Sequence, residues 1–144
     1  MEYASTTTLA EIRAAGPCED GWRKLLGHLG KTGADNEPLA LLTVLDSNGL
    51  DDALWCLRVP SLDRLSRHFQ AWCAEQMLPF FEAERPGDTR VRDQIAMLRR
   101  DDASESERAA ARDAAQAAAQ DAAWDGARDA AWAAAWDAAW DAAW

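Results

Sequence analysis

Apolar residues recur along this chain at spacings of three and four, and no stretch alternates with period two. That pattern predicts an all-α protein of about six to eight helices, with no sheet larger than a hairpin. Punctuation residues divide the pattern into elements. Thr8 and Glu11 stand at capping-box spacing, and Gly16-Pro17 ends the short helix they open. Glu19 to Leu29 reads as a second helix, with Trp22, Leu25, Leu26 and Leu29 on one face and Gly30 as its stop. After a loop over Lys31 to Glu37, Pro38 starts a third helix through Leu39, Leu42 and Leu45, stopped near Asn48-Gly49. A fourth helix runs from Leu50 to Val59 and is closed by Pro60. Ser61 caps a fifth, whose stripe is Leu62, Leu65, Phe69, Trp72 and Met77, and Pro79 predicts a kink or an early end. Arg85 to Asp88 form a loop. Asp88 to Arg100 form a sixth helix, with Val91, Ile95 and Leu98 facing inward. Ser104 and Glu107 make a second capping box that opens an alanine-rich segment.

From Asp113 to Trp144 the sequence repeats every four residues, with Asp-Ala-Ala-Trp as the commonest unit. A helix turns about 100° per residue, so each tetrad advances its positions by about 40°. From Trp124 to Trp144 the drift is about 200°, too much for one straight helix to bury every indole on one surface. Gly126 stands where each equivalent tetrad position is alanine. Glycine costs roughly 1 kcal/mol relative to alanine inside a helix. The expected outcome is a helical hairpin, Ser104 to Trp124 followed by Arg128 to Trp144, with one long curved helix as the alternative. Core packing is expected for Trp22, Trp55, Trp72, Trp132 and Trp136. Trp140 and Trp144 divide between core and docking edge, with Trp144 leaning to the latter because it is the last residue given.

Length and charge narrow the function. The 144 residues fit one domain, leucine-rich over 1–103 and tetrad-built over 104–144. A formal net charge of −10 repels nucleic acid and favours a basic partner surface. Cys18, Cys56 and Cys73 make no disulfide framework; they predict reduced, mostly buried thiols in a cytoplasmic protein. The N-terminal stretch lacks the basic start and apolar core of a signal peptide, and no run approaches a membrane span. No phosphate-cradling glycine loop, nucleophile elbow or paired-histidine zinc helix occurs. His28, His68 and the cysteines show no zinc-ligand spacing, so neither metal nor cofactor is expected. Most carboxylates fall at helix starts, where the dipole favours them. Asp125, Asp129, Asp137 and Asp141 approach a C-terminal end, where the dipole disfavours anions, and after Arg112 only Arg128 offsets them. Those four aspartates, with Trp140 and Trp144, are the candidate partner-binding residues.

Three segments in order carry a resemblance: WCLRVP at Trp55 to Pro60, FQAWCAEQMLPFFEAERPGDTRVRDQIAMLRR at Phe69 to Arg100, and the Ala-Ala-Trp-Asp array. Together, over roughly residues 38 to 144, they resemble an alanine-rich family of immunity-type proteins found in bacteria, phages and prophages. The resemblance implies an all-helical, cytosolic protein that is not an enzyme and that neutralises a toxin by binding it. It supplies no catalytic residues. This chain departs from the family in its high tryptophan and aspartate content. The leading expectation is therefore an inhibitory binding protein that occludes a basic surface on a toxin or nuclease. The alternative is a phage-type counter-defence inhibitor, anti-CRISPR-like, whose carboxylate rows imitate a phosphate backbone. An enzyme and a self-assembling protein are lesser competitors.

Overall fold

Both capping boxes form, and they fix the starts of the helices they precede. The computed structural model describes residues 5–142, with side chains through residue 135. Thr8 Oγ1 accepts the Glu11 N–H at 3.1 Å and opens α1, Leu9–Ala14. Ser104 Oγ accepts the Glu107 N–H at 3.2 Å, while Glu107 accepts the Ser104 N–H at 2.7 Å, ahead of α7, Glu105–Ala142. The remaining helices are α2, Glu19–Leu29; α3, Leu41–Asn48; α4, Leu50–Cys56; α5, Asp63–Glu84; and α6, Arg90–Arg99. With seven α-helices and one two-residue strand pair among the described residues, the protein is all-α. Its contacts divide it into two units, one ending at Phe69 and one beginning at Gln70, within α5.

The first unit holds the larger apolar core. Leu9, Ile12, Trp22, Leu25, Leu39, Val44, Cys56, Val59 and Leu62 are buried together. Three boundaries here differ from the sequence reading. The third helix starts at Leu41, not Pro38, because Leu39–Ala40 is extended and pairs antiparallel with Thr6–Thr7. That pairing satisfies backbone groups while Leu39 reaches the core. The fourth helix ends at Cys56, and Pro60 opens a 3₁₀ turn, Pro60–Leu62. Ser61 therefore does not cap α5. Its hydroxyl instead donates to Glu11 Oε2 at 2.6 Å, beside the Thr7 hydroxyl at 2.8 Å. These hydroxyls, Ser61 foremost, hold the Glu11 carboxyl below its usual range.

The second unit is built largely on small residues. Among the described residues its buried positions are Ala71, Ile95, Ala103, Ala115 and Ala118. Trp72 and Met77, expected on a buried stripe, are 55% and 62% exposed. Nor does Pro79 end α5, which runs on to Glu84. Proline removes one N–H from the ladder. Ion pairs hold α5 on either side of it, Glu75 with Arg99 at 2.6 Å and Glu82 with Arg92. Next, α6 lies antiparallel against α7: Arg90 reaches Asp121 at 2.9 Å, and Arg108 donates to the Arg100 carbonyl at 3.1 Å. The expected hairpin is absent. One helix of 38 residues, about 57 Å long, passes through Gly126 without interruption. Gly126 has no positive φ, and its alanine-rich neighbours sustain the helix across the small local cost.

Candidate functional site

The candidate surface is the part of α7 that outruns its support. Up to Asp125 the helix has a packed face, with Ala115 and Ala118 buried and Ala122 and Asp125 half-buried. The turn before α6 grips that point. Arg85 forms a short ion pair with Asp125, and Arg128 lies 3.4 Å from the other oxygen of Asp125. Asp88 braces the same turn, 2.6 Å from Arg90 and 3.9 Å from Arg85. The hydrogen bonds from Arg90 hold the Asp88 carboxyl down at about 2, although partial burial opposes this. Beyond Asp125 the support is gone. Every residue from 126 to 135 is exposed, about 15 Å of helix with all faces toward solvent.

Trp124 is 77% and Trp132 is 63% exposed. Burial of Trp132 is thus corrected, and the reason is geometric. Trp132 sits within about 40° of Ala118 around the axis, so it points along the packed face. But α6 begins at Arg90, level with Asp121, and nothing of it extends far enough to cover Trp132. Of the residues expected to bind a partner, Asp125 is held by the two arginines, and Asp129 is exposed on the free segment. The side chains of Asp137, Trp140 and Asp141, and all of Trp144, lie outside the described residues, as does the side chain of Trp136. Trp124 was missed as a surface residue. Its signal was available: the tetrad drift places it well away from the alanine stripe.

The described residues of the first unit line recesses of two kinds. One, of about 110 Å³, is lined by Ile12, Trp22, Leu25, Val44 and Trp55, with Cys18, Asn48 and Asp52 at its polar end. Asn48 donates to the Gly21 carbonyl at 2.8 Å and to Asp52 at 2.7 Å. A Cβ at residue 21 would stand 2.9 Å from Asp52 Oδ2 and 3.1 Å from Cys18 Sγ, so a larger residue there would have to push these side chains aside. The other, about 190 Å³, is wholly apolar and runs between α3 and α4, past Leu42, Leu50 and Leu54 to Phe69. Of the cysteines only Cys56 is buried, where mostly buried thiols were expected, and that burial pushes its thiol up to about 11. Cys18 is exposed because it caps α2, its sulfur accepting the Gly21 N–H at 3.4 Å. Among the described residues no group of three or more His, Cys, Asp or Glu is placed to hold a metal, and no helix is long and apolar enough to cross a membrane. Compared with known proteins, the chain matches no family model, no curated protein and no solved structure.

Proposed function

We propose that this protein is a non-enzymatic inhibitor that neutralises a partner protein, of toxin or nuclease type, by covering a basic surface on it in the cytosol. The observation that supports this best is the exposed run of α7 carrying Trp132 beside Asp129, with Trp124 at its base. An indole brings of order 150–250 Å² of contact area, and tryptophan is favoured at interface hot spots. Carboxylates around it steer a basic partner and quicken encounter. Imitation of nucleic acid is weaker on magnitude. The tetrad places at most one carboxylate per four residues, about 6 Å of helix. Duplex DNA carries a charge about every 1.7 Å. Asp121 and Asp125 are moreover neutralised by Arg90 and Arg85 of the same chain.

The test is capture with the full chain as bait in its native host, followed by titration of the purified partner. A partner whose activity falls at stoichiometric inhibitor, and whose association slows with added salt and with Asp129→Asn, supports the reading. A captured protein that keeps full activity when saturated overturns it.

A further inference from the structure

The tetrad places an acid and an indole three residues apart, which on a helix makes them neighbours, about 5–6 Å between Cβ atoms. Elsewhere the chain uses that pair on itself. On α2, Glu19 and Trp22 stand three apart, and Arg13 serves both: its guanidinium lies 3.7 Å from Glu19 and 5.3 Å from the Trp22 ring centroid. Arg58 likewise stacks at 4.3 Å over Trp55. On α7 the equivalent pair Asp129 and Trp132 is exposed and holds no arginine among the described residues. The sequence repeats the pair at Asp137 with Trp140 and at Asp141 with Trp144.

We infer that the Asp129-Ala130-Ala131-Trp132 unit of α7 is a receptor for one arginine side chain, and that the partner docks there through an arginine-bearing segment. The inference rests on the proposed inhibitory function and adds its chemistry. A guanidinium is flat, so it can bond the carboxylate through its edge while its face covers the indole; a lysine ammonium offers a point charge and no face. A second copy of this chain is disfavoured as occupant, because it would bring a second row of aspartates against the first.

The experiment titrates the full chain with a peptide of alternating glycine and arginine and with its lysine counterpart of equal length, by calorimetry in physiological salt. Tighter binding of the arginine peptide, by about fivefold or more, is expected. Trp132→Leu and Asp129→Asn should each erase most of that preference, with helicity unchanged by circular dichroism. Equal binding of both peptides, insensitivity to Trp132→Leu, or no binding at all overturns the inference. So does self-association through α7 seen by light scattering. A captured toxin whose docking surface is built of lysines would keep the inhibitory function and sink this inference alone.

Discussion

Replacing Gly126 by alanine tests whether α7 is continuous where the sequence suggests a break. The residue is helical, its φ is not positive, and a Cβ added there would meet nothing within 4 Å. No clash therefore offsets the gain in backbone order, about 0.8–1 kcal/mol in a helix interior. The segment beyond Asp125 opens without disturbing the packed part, so the gain belongs to local opening rather than to global unfolding. Amides of residues 127–135 should then exchange about fivefold more slowly in Gly126→Ala, since 1 kcal/mol is roughly that factor at room temperature. Hydrogen exchange read by NMR measures it directly. The midpoint of global unfolding should barely move. Unchanged or faster exchange, or a loss of helicity at 222 nm, would show that residue 126 occupies a bend that alanine cannot adopt.

Ala118 is fully buried on α7, so Ala118→Leu should destabilise the second unit by about 1–3 kcal/mol through overpacking; urea denaturation measures this, and a loss below a few tenths would mean that α7 is not tightly seated. The acid limb of stability should run through Asp88. Its folded pKa of about 2 lies below the usual 3.8, so its contribution is complete above about pH 4 and fades as pH falls toward 2. Asp88→Asn should flatten melting temperature against pH in that window, and an unchanged acid slope would refute the role of the Arg85–Asp88–Arg90 turn.

What could be read in advance was local. Thr8, Ser104 and Gly30 act within a turn of themselves, and the bounds of α2 match the sequence reading at both ends. What escaped depended on distant residues. Nothing near Leu39 announces that Thr7 will pair with it, nor does Pro79 reveal that Arg92 and Arg99 will hold α5 around it. The exposed tryptophans were misjudged for another reason. The 40° drift per tetrad excludes a common buried face for all the indoles of one straight helix, but core packing was expected for Trp132 on a second, shorter helix after Gly126. The structure keeps the helix whole and leaves Trp124 and Trp132 in solvent.

Alanine explains how that arrangement stands without tertiary support. An isolated helix shorter than about 12–15 residues is marginal in water because nucleation is costly. The free part of α7 needs no nucleus; it propagates from a helix already formed and packed, and alanine is the best residue for propagation. Two of four tetrad positions can thus maintain the backbone, leaving the aspartate and tryptophan positions free of structural duty. The Asp125-Gly126-Ala127-Arg128 tetrad marks the change. It is the single tetrad after Asp121 with arginine in place of tryptophan, and Arg128 turns back to Asp125, which Arg85 also holds. A tetrad supplied with the chain's own arginines ends the packed part of α7; the next, Asp129 with Trp132, has none among the described residues.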